Sequence, residues 1–292
     1  MKTLTNSHFL RREQGFEVHV LNSQEVEIAV VPELGARIIS LKDLRTGREW
    51  LWHPDGGPKL FRSRAGDDFQ TSPLVGMDEC LPTIAPCSWK GRDLPDHGEA
   101  WSAMWTLDSE AWARGVLRTN VSLQILPFDF ARTIELEENE VRISYCLKNR
   151  SAAEELYLWA MHPLLRLQTG DQLELPASTR ALLNRAVWID ALSTSQPKGN
   201  CQKIFASPVS EGCAAINNPA TGDRLEFEWD ATENNTLGLW LNRGGWHGHH
   251  HFALEPSNGE PDLLTTAAQR KRCGVIAPHG SVAWQVCIRV GN

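Results

Sequence analysis

The chain has 292 residues, 41% of them apolar and 22% charged, a composition that suits a packed core and is unlike that of a disordered chain. Its 29 Lys plus Arg stand against 36 Asp plus Glu, and the net charge of −7 argues against nucleic acid or an anionic membrane as partner, since both call for a concentrated basic face. There is no run of ~18 apolar residues that would cross a membrane, the first eight residues do not read as a secretory leader, and seven scattered cysteines without a Cys-x-x-Cys pair read as reduced thiols of a cytoplasmic protein.

In chain order, residues 7–14 predict a helical turn or two, with Ser7 as cap and Arg11, Arg12 and Glu13 as a polar face. Residues 25–31 and 37–41 alternate apolar and polar side chains and predict strands with one buried face. Residues 52–95 lose that period and are rich in Gly, Pro and Asp. A segment this long without its own regular structure reads as a binding loop. Strand alternation returns at 117–125, 130–136 and 140–147, the last two joined by the hairpin turn Glu137-Glu138-Asn139. Further strands are predicted at 155–160, 224–229, 237–241 and 281–288, and a short helix at 266–272. Many long strands with few helices predict an all-β protein, a large antiparallel β-sandwich or barrel. No repeat or linker divides residues 1–292, so a single domain is expected.

Three places gather functional groups. His97 closes the long loop and is followed by Gly98, which permits close backbone approach. His162 ends an apolar strand, and Glu255 ends an alternating strand just before Pro256, which is expected to terminate it. The run His247, His249, His250 and His251 invites a metal reading. Strand alternation puts His249, His251 and Glu255 on one face, but they spread over roughly 20 Å at about 3.4 Å per residue, so one ion cannot reach all three. His249 and His251 alone could hold an adventitious ion, and no essential metal is expected. Twelve tryptophans against two tyrosines fill a large core or stack on sugar faces. Trp101, Trp105, Trp159, Trp240 and Trp246 lie near polar candidates. No Gly-x-Ser-x-Gly, no phosphate-binding Gly-x-x-x-x-Gly-Lys-Ser/Thr and no Gly-x-Gly-x-x-Gly occurs, which removes the serine-hydrolase elbow and the nucleotide loops. Asp78, Glu79, Asp96 and Glu99 are carboxylates that could pair with Glu255 across a glycosidic bond.

Together these segments resemble the aldose 1-epimerase, or galactose mutarotase-like, superfamily. Val31-Pro32-Glu33-Leu34-Gly35-Ala36-Arg37-Ile38 is similar to its first hairpin, and 76–84 (Gly-Met-Asp-Glu-Cys-Leu-Pro-Thr-Ile) to a loop of divergent members. Leu94 to Gly98, Met161-His162-Pro163, Leu254-Glu255-Pro256 with Pro261-Asp262, and Pro278-His279-Gly280 follow in the family's order. The resemblance implies a large twisted antiparallel β-sandwich with its site in a groove on one sheet. It implies an isomerase that interconverts α and β anomers of a free sugar, in carbohydrate metabolism and without a cofactor. Glu255 would be the base that takes the anomeric hydroxyl proton, and His162 the acid that protonates the ring oxygen, as an imidazole able to carry a proton near neutrality. His97 would hydrogen-bond the sugar. Asp78 and Glu79 are expected to bind hydroxyls, with Trp101, Trp159 and Trp240 against the sugar. Glu99 stands where typical members carry a second Gly, and Pro163-Leu164-Leu165 follows the second His. A non-catalytic sugar-binding protein on the same fold, and a hexose-phosphate mutarotase using Arg62 or Arg64, are the alternatives. The oligomeric state is not indicated.

Overall fold

The computed structural model describes residues 6–69, 75–183 and 199–291. Two large antiparallel sheets dominate it. In the first, nine strands lie side by side in the order Ser7–Glu13, Phe16–Asn22, Val26–Val31, Arg37–Asp43, Met77–Cys80, Ala160–Leu165, His250–Ser257, Thr236–Arg243 and Asn200–Ala206. In the second, eight follow as Gln172–Glu174, Cys213–Asn218, Asp223–Trp229, Ser281–Val290, Glu140–Asn149, Phe128–Glu137, Leu117–Ser122 and Thr106–Leu107. Three short α-helices, Ser109–Ala113, Ala177–Leu182 and Leu264–Gln269, are the α-helices among the described residues. None is long and apolar enough to cross a membrane.

The second sheet obeys the period of two closely. Leu117, Thr119 and Val121 are buried while Arg118, Asn120 and Ser122 are exposed, and Phe128 to Leu136 bury every other residue. Its buried face meets the first sheet in one continuous core. That core takes Ile38, Met77, Met161 and Phe252 from one side and Phe130, Ile143, Phe227 and Val286 from the other. Each such side chain contributes roughly 1.5–3 kcal/mol on leaving water. The central strands of the first sheet are different, because Met77–Cys80 and Ala160–Leu165 are buried throughout and His250–Ser257 nearly so. One face packs on the second sheet, and the other is covered by the connecting segments. A strand buried on both faces loses the alternation that identifies it.

Five expectations are corrected. Residues 7–14 are an edge strand, not a helix: Ser7–Glu13 pairs along its whole length with Phe16–Asn22. Gln14 and Gly15 turn the hairpin with positive φ at both positions, the backbone that a tight turn between twisted strands requires. Its polar residues mark an exposed sheet edge. The 52–95 segment is not wholly irregular, since it contributes Met77–Cys80 to the centre of the first sheet and a small hairpin, Cys87–Trp89 with Arg92–Leu94. The 155–160 strand is two elements: Glu155–Tyr157 pairs with Gly274–Ile276, whereas Ala160 opens a strand of the first sheet. Pro256 does not end its strand, because the ladder to Thr236–Arg243 continues through Leu237 opposite Pro256 and Thr236 opposite Ser257. His162 likewise lies inside its strand and not at its end.

Candidate functional site

The covered face of the first sheet collects the polar candidates. Met77, Met161, Phe252, Leu254, Leu237 and Leu239 point into the core, so alternation sends Asp78, Cys80, His162, Glu255, Gly238 and Trp240 to the opposite face. Antiparallel register aligns them further. Ala160 is opposite Ser257 and Leu164 is opposite Ala253, which places His162 across from Glu255. Glu255 is in turn opposite Gly238. On the next strand Lys203 is opposite Trp240. Because Gly238 has no side chain, Lys203 reaches across it to the carboxylate. A Cβ on Gly238 would lie 3.0 Å from Glu255 Oε2.

His162, Lys203, Trp240 and Glu255 line a cleft of about 240 Å³, together with Phe69, Trp246, Asp96, His97 and Asp262. His162 Nε2 lies 4.0 Å from Glu255 Oε1. The ammonium of Lys203 holds Glu255 Oε2 at 2.8 Å and Asp262 Oδ1 at 2.9 Å. His97 stacks on Phe69 with ring centroids 3.6 Å apart, and its ring centre is 4.9 Å from that of His162. His97 Nδ1 lies 3.0 Å from Asp96 Oδ1. A carboxylate accepts, so Nδ1 donates in that contact. The backbone of His97 has φ of 58°, and Gly98 lets its loop come against the Leu81 carbonyl, 2.1 Å from where a Cβ would stand. A larger depression of about 860 Å³ lies on the outside of the second sheet. Its Arg142, Arg289, Glu140 and Glu228 are tied up in ion pairs with one another, and no buried acid–base pair faces it.

Burial dominates the site's electrostatics. It raises the pKa of Glu255 above the ordinary carboxylate value, and the ammonium of Lys203 opposes that rise. Burial also works against the charge on Lys203, but the Glu255 and Asp262 carboxylates overcome it and raise its pKa, so the ammonium stays charged. Burial pushes His162 well below the usual imidazole value, and the neighbouring His97 and Lys203 push the same way. The ring is therefore neutral at pH 7. This corrects the expected imidazole that carries a proton near neutrality.

The cleft brings together His97, His162, Glu255 and Trp240 of the expected site. The other four expected residues do not line it. Glu79 faces the core, where it accepts hydrogen bonds from Arg132 Nη1 at 2.9 Å, Tyr145 Oη at 2.9 Å and Trp159 Nε1 at 2.8 Å. Trp159 is thereby a core residue, and its ring packs at a tilt against those of Tyr145 and Trp284. Asp78 lies on the site face but beneath it, fully buried and 2.7 Å from Arg37 Nη2. Burial lifts its pKa to about 6 against the pull of Arg37. Trp101 is buried under the His97 loop and donates its Nε1–H to the Asp96 carbonyl at 2.9 Å. Glu99 accepts the backbone amides of Gln124, Ile125 and Leu126, so it anchors a neighbouring turn. His249 and His251 both pack on Trp52, with centroids 4.7 and 4.8 Å away, and His251 is fully buried beside Asn242. Arg62 pairs with Glu33.

Lys203 and Phe69 were not anticipated. A lysine in a strand at a sheet edge reads as a solvated gatekeeper, and only the register to Trp240 reveals that it faces the site. Phe69 lies in the aperiodic segment, where no pattern assigns a face.

No family model matches the sequence, and no curated protein matches it. Solved structures do match in fold. A galactose mutarotase-like protein from Clostridium acetobutylicum superposes with a TM-score of 0.70 at 13% identity, covering 100% of each chain. A protein from Klebsiella pneumoniae, provisionally named an aldose 1-epimerase, gives a TM-score of 0.76 at 15% identity over 100% of this chain and 85% of its own. A galactose mutarotase related enzyme from Lactobacillus acidophilus gives 0.66 at 12% identity, over 98% of each chain. The chain therefore has the galactose mutarotase-like β-sandwich fold.

Proposed function

We propose that the protein is an aldose 1-epimerase acting on a free, uncharged sugar. The observation that carries this reading is the buried pair of Glu255 and His162, 4.0 Å apart across one cleft. Two groups at that separation can each hydrogen-bond one of the two oxygens on a hemiacetal carbon. The cleft, at about 240 Å³, suits one monosaccharide, and Phe69, Trp240 and Trp246 offer apolar faces for its C–H groups.

The chemistry follows from the charge states. Glu255 is held as a carboxylate by Lys203 and takes the proton from the anomeric hydroxyl. The C1–O5 bond breaks, its electron pair passes to O5, and C1=O1 forms as the aldehyde. His162, neutral, donates its Nε2–H to O5 as charge builds there. A neutral imidazole can serve as electrophile in this way. The aldehyde rotates about C1–C2. The protons then return to O1 from Glu255 and from O5 to His162 as the ring closes on the other face. General acid and base groups contribute about 10²–10⁴-fold each. His97 accepts a hydrogen bond from a sugar hydroxyl at Nε2, with Asp96 holding its tautomer.

An uncharged substrate is favoured because Lys203 is the one cation lining the cleft among the described residues, and both of its carboxylate partners are already in place. A phosphate would ask for an unengaged cation or fork. The test is Glu255→Gln, which keeps the shape and removes the base. Magnetisation-transfer NMR on an aldose that the wild type interconverts is expected to show exchange reduced by about 100-fold or more. Undiminished exchange would remove Glu255 from the role of base.

A further inference from the structure

Under the cleft lies a group the sugar chemistry does not use. Cys80 ends the Met77–Cys80 strand on the same face as His162 and is fully buried against Ile84 and Ala160. Its Sγ and one ring nitrogen each of His97 and His162 all lie within 4.8 Å of one another. A thiolate and two imidazoles form a donor set that favours Zn²⁺ over Mg²⁺ or Ca²⁺. Around a tetrahedral zinc, with bonds of about 2.0–2.1 Å to nitrogen and 2.3 Å to sulfur, such donors stand roughly 3.3–3.6 Å apart. Donors within 4.8 Å of one another meet that geometry once each separation closes by at most about 1.2–1.5 Å, a side-chain adjustment.

Three further observations point to a ligand. His162 Nδ1 is buried and has no hydrogen-bond partner among the described residues. His97 contacts Asp96 through Nδ1 at 3.0 Å, the carboxylate–imidazole arrangement that orients metal-binding histidines. Both rings line the cleft, so an ion can reach them from that open space.

We propose that Cys80, His97 and His162 bind a soft divalent cation, with Zn²⁺ as the fitting ion, at the floor of the cleft. The thiol releases its proton to solvent as the metal–sulfur bond forms, and both imidazoles bind as neutral ligands. If the cleft is the sugar site, metal and sugar exclude one another, because the ion takes both histidines.

The probe is Co²⁺, titrated into the metal-free wild-type protein without sugar. The expected spectrum has a thiolate-to-cobalt charge-transfer band in the near ultraviolet and the intense visible bands of a tetrahedral site, both abolished by equimolar Zn²⁺. Cys80→Ser is expected to lose the charge-transfer band and to bind Zn²⁺ at least tenfold more weakly. Asp96→Asn, which keeps all three ligands, should weaken binding by roughly 10–100-fold. If Cys80→Ser does not fold, His97→Ala on the loop gives the same loss. A wild-type protein without a thiolate–cobalt band overturns the proposal. So does a band that survives His97→Ala, which would trace it to another of the seven cysteines, or Zn²⁺ binding unchanged in Cys80→Ser, which would move it to the His247–His251 run. Sugar turnover is not measured in any arm, so failure here and failure of the epimerase reading are separable.

Discussion

At the scale of single residues, the site is a case of side chains assigned by what surrounds them. Asp78 and Glu79 are neighbours with the same charge and opposite fates. One residue of strand alternation turns Glu79 into the core, where Arg132, Tyr145 and Trp159 satisfy it, and leaves Asp78 beneath the cleft with Arg37. Truncating one member of a buried ion pair strands the other and costs about 3–5 kcal/mol. Glu79→Ala is therefore expected to lower unfolding free energy by that order in a urea titration, and a variant with wild-type stability would contradict the core assignment. The pH profile tests the charge states. Because burial raises the pKa of Glu255, kcat/KM should climb through a pH range above that of an ordinary carboxylate. Because His162 is already neutral, the rate should then stay level across the usual imidazole range near pH 6.5. A fall centred there would mean that the imidazolium is the working acid. The candidates Glu255, His162 and His97 were legible because each stands in a short segment whose order resembles a known family. The roles of Asp78, Glu79 and Trp159 were not, since a buried carboxylate and a solvent-facing one read alike until the strand that carries them is placed.

At the scale of elements, register does the positioning. His162, Glu255 and Gly238 sit on three adjacent strands, and Lys203 on a fourth reaches Glu255 over the glycine. Gly238→Ala puts a methyl 3.0 Å from Glu255 Oε2. The backbone there is ordinary strand, so the fold should hold while the carboxylate is displaced. The expected result is a loss of kcat of about tenfold or more with a near-native circular dichroism spectrum. Full activity in Gly238→Ala would show that the Lys203–Glu255 contact is dispensable. The second sheet was legible strand by strand because one of its faces is wet, as in Leu117–Ser122 and the Glu137–Glu140 hairpin. The centre of the first sheet was not. Met77–Cys80 is buried on both faces, and Pro163 and Pro256 lie inside strands that a proline is expected to end. Both prolines are accommodated beside the site, where Ala160–Leu165 pairs with His250–Ser257 at Ala160, Leu164 and Leu165 and the ladder is interrupted between them. The misread 7–14 segment fails for a related reason. Its polar character belongs to an edge strand, and helical and edge-strand polarity look alike over seven residues.

At the scale of the whole molecule, one core joins the two sheets. Phe130, Tyr145 and Trp284 of the second sheet stack together, and Trp284 meets Trp159 beside the first. Shared burial of this kind predicts that the sheets unfold together. Tryptophan fluorescence and far-ultraviolet circular dichroism should then trace coincident denaturation curves, and separated midpoints would mean that the sheets are independent units. The sandwich holds its outer face as a scaffold and covers one face of the nine-stranded sheet with connecting segments, and that covered face carries the acid–base pair. The most direct test of this account is anomer exchange itself. Magnetisation-transfer NMR on the wild-type protein with a panel of free aldoses is predicted to show accelerated α–β exchange for at least one sugar. Sugar binding in the cleft without acceleration of any anomerisation would contradict it and leave a carbohydrate-binding protein on this fold.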